Sequence, residues 1–258
     1  MRAAAALLGA AWLAGCAGEP VRLAEHVQVR VPAGASQPAP AVMLLSGCGG
    51  VRPLLDRYAE TANQAGWAAI IVDSHEARGI GRMAARLQVC TGLRLRGRER
   101  AEDIFAALDL ARGDARIDSE RLVLAGWSHG GWTVLDAMAA VQAGTAPGED
   151  PWRGVRGAFL VYPYCGALTQ ADTAPIGDPF AVTMLLVGKD RIADPAACRR
   201  LAERRGAQGS NIEIVFEPDL THAFDDAEQP WDPRMAYDQD GARRNLERFD
   251  EFLTRAGE

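Results

Sequence analysis

Lysine is almost missing from this sequence. Lys189 is the only one, and every other fixed cation is an arginine. That skew reads as the coding bias of a GC-rich genome rather than as a functional signal. No Gly-rich loop carries a lysine, so a nucleotide-phosphate loop is excluded. Basic residues are also outnumbered, 28 against 34 acidic, giving a net charge of −6 and a pI near 5.4. A basic face for a phosphate backbone is therefore not expected, and nucleic acid is not expected as a partner. No Cys/His spacing fits a zinc site, so neither metal nor cofactor is expected. Histidine is scarce as well: His26, His75, His129 and His222 are all there are. The apolar stretch at residues 3–13 is too short to cross a bilayer as a helix.

What is present begins with that stretch. Arg2 supplies a small positive region before it, and Leu13-Ala14-Gly15-Cys16 closes it. This tetrapeptide resembles a bacterial lipobox. The resemblance implies removal of residues 1–15 as a lipoprotein signal peptide, lipidation of Cys16, and a tether over residues 16–25. Several acyl chains would hold the protein firmly on a membrane, where one gives only marginal binding. Ala17, with no Asp after the cysteine, favours the outer membrane, facing the periplasm.

Residues 26–258 are long enough for one large α/β domain with a well-buried core. There is no internal repeat and no low-complexity linker. Residues 26–31 alternate as an early strand. Continuous apolar runs at 41–45, 67–72, 121–125, 157–162 and 181–187 read as strands buried on both faces, with a last strand at 211–216. Helices are expected at 54–65, 99–112, 132–141, 195–205 and 241–256. Residues 74–97 form a long irregular stretch with one short helix near 83–87. Strands alternating with helices predict a mostly parallel central sheet with helices on both faces, the α/β-hydrolase arrangement, with the site at the carboxyl ends of the strands.

Gly126-Trp127-Ser128-His129-Gly130 reads G-x-S-x-G between an expected strand and an expected helix. In that context it is a nucleophile elbow, which exposes the serine hydroxyl at the top of a sheet. A serine needs a base, and the base needs an orienting acid. In this fold the chain order is Ser, acid, His, which selects His222, after the last strand. His75 precedes the serine, His129 sits inside the elbow and His26 lies at the edge. Asp190, just beyond the 181–187 strand, is the favoured acid. Asp194 is its competitor, and Asp172 and Asp178 precede the strand. The backbone N–H groups of His129 and Cys48 are the expected oxyanion donors, with Gly49 second to Cys48. Trp127 and His129 flank the nucleophile and could line an acyl pocket or pack in the core. Arg78 and Arg191 could read an acidic substrate or form structural ion pairs.

The sequence resembles the dienelactone hydrolase family of α/β hydrolases from about residue 41 to the C-terminus. The resemblance rests on Gly126-Trp127-Ser128-His129-Gly130-Gly131 and Thr221-His222-Ala223-Phe224-Asp225. Gly47-Cys48-Gly49-Gly50, Val72-Asp73-Ser74 with Arg78-Gly79, and Arg100-Ala101-Glu102-Asp103 add to it. It implies Ser128 as nucleophile, Asp190 as acid and His222 as base. Founding members of the family use a cysteine nucleophile and hold a substrate carboxylate with arginines. Here the nucleophile is Ser128, Arg78 could supply one arginine, and none follows His222 closely, so dienelactone itself is a poor candidate substrate. Ser46 stands where many α/β hydrolases carry a histidine.

An oxidising compartment permits disulfides. The expected strand order brings the loops of Cys48 and Cys90 near one another, and likewise Cys165 and Cys198, so these two pairings are expected. The expected function is a lipid-anchored serine hydrolase acting on a small-molecule ester or lactone. A peptidase or amidase, a thioesterase, and a non-catalytic binding lipoprotein are the alternatives.

Overall fold

The computed structural model describes residues 23–171, 180–207 and 209–258. Cys16, the proposed signal peptide, most of the tether and the two minor acid candidates Asp172 and Asp178 lie outside the described residues. Seven strands form one sheet in the order β1-β3-β2-β4-β5-β6-β7. They are β1 (Val27–Arg30), β2 (Ala39–Leu45), β3 (Ala68–Val72), β4 (Ile117–Trp127), β5 (Val155–Val161), β6 (Ala181–Val187) and β7 (Ile212–Glu217). Every neighbouring pair is parallel except β1 with β3. The short β1, half-buried and antiparallel, closes one edge of a sheet whose interior strands read as unbroken apolar runs.

Alternation along β4 shows how the sheet divides the core. Leu122 and Leu124 point to one face, while Val123, Ala125 and Trp127 point to the other. The first face is covered by α3 (Gly97–Gly113), α4 (His129–Gln142) and α5 (Pro195–Gly206), through Ile104, Leu108, Val134, Met138 and Leu201. The second is covered by α1 (Pro53–Gln64) and α6 (Gln239–Gly257), through Leu55, Tyr58, Phe249 and Leu253. Among the described residues, both large core clusters and all seven strands lie within residues 23–258.

The stretch expected to be irregular is more ordered than its sequence suggests. It holds α2 (Arg82–Ala84), which runs on as a π-helical segment, Ala85–Val89. Ile80, Ala85, Val89 and Leu95 bury themselves as a separate small cluster, with Cys48 packed against it. A further difference concerns α4. It begins at His129, directly after the serine, not at residue 132. The Gly130-Gly131 pair looks like a helix breaker in sequence, but packing overrides that propensity, because both glycines are in tight contact with neighbouring chain.

Candidate active site

The turn from β4 into α4 carries Ser128 with φ 51° and ψ −109°. A side-chain-bearing residue adopts that conformation only when its surroundings enforce it. The enforcement is visible. Ser128 N–H donates to the Val161 carbonyl at 2.9 Å, and its carbonyl accepts from Trp132 N–H at 3.0 Å. A Cβ on Gly126 would lie 2.6 Å from the Gly130 carbonyl carbon, and one on Gly130 would collide with the Leu45 carbonyl. The glycines thus let β4, α4 and the end of β2 meet around the serine.

Three side chains converge from three strand ends. His222 Nε2 lies 2.9 Å from Ser128 Oγ, and His222 Nδ1 lies 2.7 Å from Asp190 Oδ2. Since a carboxylate only accepts, Nδ1 carries the proton and Nε2 turns its lone pair to the serine hydroxyl. The other carboxylate oxygen, Oδ1, accepts from the N–H groups of Ile192 and Ala193, each at 2.8 Å. Asp190 is thereby fixed at both oxygens. The rival, Asp194, is instead the N-cap of α5, accepting from Ala196 N–H at 2.9 Å.

His222 is held by its own loop. The ring of Tyr162 sits against it, with centroids 4.6 Å apart. Three residues further on, the buried Asp225 accepts from Tyr162 Oη at 2.5 Å, Tyr58 Oη at 2.7 Å, Trp127 Nε1 at 3.1 Å and Asn245 Nδ2 at 3.2 Å. Burial beside this carboxylate pushes both tyrosine hydroxyls well above their ordinary pKa, so they remain donors. The histidine loop is thus anchored to β5, the elbow strand, α1 and α6 at once.

This network corrects the expectation for Trp127. Its side chain follows Val123 and Ala125 onto the face covered by α1 and α6, where the ring lies 4.4 Å from that of Tyr58. It is core, not pocket lining. Arg78 is corrected too. Its guanidinium grips both oxygens of Asp103, at 2.7 and 2.8 Å, and the Ser74 carbonyl at 3.0 Å, tying the turn after β3 to α3. Arg191 is exposed beside Asp190, on the rim of an open depression of about 480 Å³ that Lys189 and Arg234 also line.

The loop after β2 runs beside the serine. A Cβ on Gly47 would stand 3.7 Å from Ser128 Cβ. His129, as first residue of α4, has one of the helix's unpaired N–H groups. Its side chain, like that of Trp127, is buried. Cys48 is bonded to Cys90, and Cys165 to Cys198.

Sequence reasoning gave no role to the residue that joins these parts. Arg100, on the first turn of α3, is fully buried. It donates to the Ser46 carbonyl at 2.7 Å, Ser46 Oγ at 3.1 Å and Ser74 Oγ at 2.9 Å, and it lies 3.3 Å from His129 Nδ1. One guanidinium therefore spans the loop after β2, the loop after β3 and the elbow. Burial lowers it to about 10, opposed by Asp103 and Asp73, and it stays charged at neutral pH. His75 adds a second brace, its Nε2 donating to the Cys48 carbonyl at 3.0 Å. Burial and the nearby Arg100 lower His75 to about 4 and His129 well below its ordinary value, so both rings are neutral. The available signal was Arg100 standing four residues before Ile104, in line with the apolar stripe of α3.

A strand–elbow–helix at the carboxyl edge of a doubly covered, mostly parallel sheet, with Asp and His delivered from later strands, defines an α/β hydrolase. The chain belongs to the dienelactone hydrolase family, whose family model matches residues 27–257, and its class is that of carboxylic ester hydrolases. No curated protein matches the chain. Solved structures share its fold at low identity. A dienelactone hydrolase-like promiscuous phosphotriesterase from metagenomic libraries is 17% identical, with a TM-score of 0.67 over 90% of this chain and 99% of that one. Esterase 2 of Thermogutta terrifontis, phosphonylated by cyclosarin, is 16% identical, with a TM-score of 0.68 over 90% and 89%. Est1E of Butyrivibrio proteoclasticus, with ferulic acid bound, is 15% identical, with a TM-score of 0.62 over 89% and 94%.

Proposed function

We propose that the chain is a serine hydrolase that cleaves a small-molecule ester or lactone through an acyl-enzyme. The observation that carries this reading is the unbroken chain from Ser128 Oγ through His222 to Asp190, at 2.9 and 2.7 Å. His222 Nε2 takes the hydroxyl proton as Ser128 Oγ bonds to the substrate carbonyl carbon. The carbonyl electron pair moves to oxygen, where the N–H groups of Cys48 and His129 receive it. The intermediate collapses, the C–O bond to the leaving group breaks, and His222 returns its proton to the departing alkoxide. Water, deprotonated by His222, then repeats the sequence and frees the acid and Ser128. Asp190 holds the imidazole and balances its charge when protonated.

Turnover of p-nitrophenyl esters by wild type, Ser128→Ala and His222→Ala tests the reading. Each variant should lose roughly 10³-fold or more in kcat. Equal turnover by folded Ser128→Ala would sink it. We further propose that the protein is processed before Cys16 and held by lipid on the periplasmic face of the outer membrane. Mass spectrometry of the mature N-terminus checks this. An unmodified Cys16, or an intact residue 1–15 segment in the exported protein, would count against it.

A further inference from the structure

The chain is acidic overall, yet the 22 residues from Ala77 to Arg98 contain six arginines and no Asp or Glu. Within them, α2 and its π-helical continuation have two unlike sides. Ala85 and Val89, four apart, turn inward to the small cluster with Ile80 and Leu95. Met83 and Leu87, also four apart, turn outward and are 73% and 61% exposed, with Leu93 beyond them at 75%. Arg82, Arg86 and Arg94 are exposed among them. Among the described residues neither Arg82 nor Arg94 pairs with a carboxylate, and Arg94 donates only to the Arg78 carbonyl, at 3.3 Å. Arg86 lies in the field of Asp232, whose neighbour Trp231 is 84% exposed. Three aliphatic side chains flanked by arginines thus form an exposed surface, and the loop of the exposed Trp231 carries Asp232, which feels the charge of Arg86. Large apolar side chains grouped in this way mark contact sites rather than ordinary surface.

This surface borders the proposed catalytic centre on both sides. Cys90 ties the helical segment to Cys48 in the loop after β2. The loop of Trp231 continues to Arg234, which stands in the field of Asp190. We propose that the patch docks the protein on an anionic lipid surface, with Met83, Leu87, Leu93 and Trp231 entering the headgroup–acyl boundary and the arginines meeting lipid phosphates. Positive charge around exposed aliphatic and tryptophan side chains is the composition such an interface binds. Arginine stems can lie along the apolar layer while their heads stay with the phosphates. A two-fold contact with a second copy is disfavoured, since it would set arginine against arginine. Docking turns the side of the molecule that carries the Cys48 loop and the depression beside Asp190 toward the bilayer. It depends neither on the chemistry at Ser128 nor on lipidation of Cys16.

The chain from residue 17 onward retains every described strand and helix and removes any contribution of the N-terminal segment. Its co-sedimentation should be measured with vesicles of phosphatidylcholine alone and of phosphatidylcholine mixed with phosphatidylglycerol. Met83→Ser/Leu87→Ser and Arg82→Gln/Arg86→Gln should be run in parallel, each first shown to melt and to give far-UV circular dichroism as wild type does. Wild type should bind the phosphatidylglycerol vesicles at least tenfold more tightly, and added salt should weaken that binding. The double arginine variant should lose roughly 30-fold, at about fivefold per charge. The double apolar variant should lose tenfold or more. Equal affinity for both vesicles, or variants that bind as wild type does, would overturn the proposal. So would binding to poly-glutamate without vesicle binding, which would point to an acidic protein. Self-association abolished by Met83→Ser/Leu87→Ser, without vesicle binding, would point to a second copy and equally overturn it.

Discussion

His75 and Arg100 hold the serine's neighbourhood without touching the serine, and each has a measurable signature. His75 is neutral in the folded protein down to about pH 4, whereas in the unfolded chain it takes a proton near 6.5. Between those values the unfolded state binds more protons, so stability falls as pH falls. His129, lowered in the same direction, adds to the effect. His75 alone contributes about 3 kcal/mol, present above pH 6.5 and lost by about pH 4. Urea midpoints measured across that range should drop more steeply for wild type than for His75→Gln; parallel curves would contradict the assignment. Arg100 positions the loop after β2 against the elbow. Arg100→Met should lower kcat roughly 10²-fold, because displacing oxyanion donors by even an ångström is costly. KM should change little and Arg100→Lys should recover part of the loss, while equal losses in KM would mean a general structural defect. At this scale the sequence was uneven. Ser128, His222 and Asp190 were legible because motif, chain order and strand ends all select them. Trp127 and Arg78 were each left between two roles, because proximity in sequence says nothing about which face a side chain takes or which carboxylate it finds. Asp225 and Arg100 acquire their roles only when α1, α3, α6 and three loops have packed.

The elements were read more reliably than their ends. Buried parallel strands advertise themselves as apolar runs, and α3 as an apolar stripe of Ile104, Phe105, Leu108 and Ala111. The start of α4 was missed because Gly130 and Gly131 are poor helix formers whose small size the packing demands. The 74–97 segment was read as irregular because its helical turns are short and bury only a small cluster. Its disulfide to Cys48 makes a distinct prediction. Loops of 42 and 33 residues are closed by the two bridges, and chain entropy assigns each about 4 kcal/mol at most. Cys48→Ser/Cys90→Ser and Cys165→Ser/Cys198→Ser should therefore lose comparable stability. Only the first pair loosens the peptide expected to bind the oxyanion, so its kcat should fall about tenfold or more below that of the second pair in stopped-flow ester hydrolysis. Equal rates for the two would remove Cys48 from the oxyanion site.

For the whole molecule, the sheet order sets the function. Strands β2, β4, β6 and β7 end on one edge, and their following loops deliver the loop of Cys48, then Ser128, Asp190 and His222 to a single place. Both faces of the sheet are buried, and the aromatic layer of Tyr58, Trp127, Phe159 and Phe249 packs beneath the elbow. The arginine-rich segment and the Trp231 loop then frame the edge with a surface unlike the rest of an acidic protein. The proposed catalysis depends on Ser128 being an activated nucleophile. The most direct test is labelling of the purified protein from residue 17 onward with a fluorophosphonate probe, followed by peptide mapping, for wild type, Ser128→Ala and His222→Ala. The account predicts one adduct, on Ser128, in wild type, none in Ser128→Ala, and labelling slower by roughly 10³-fold in His222→Ala. A folded wild-type protein that stays unlabelled, or that is labelled at another residue, would contradict it.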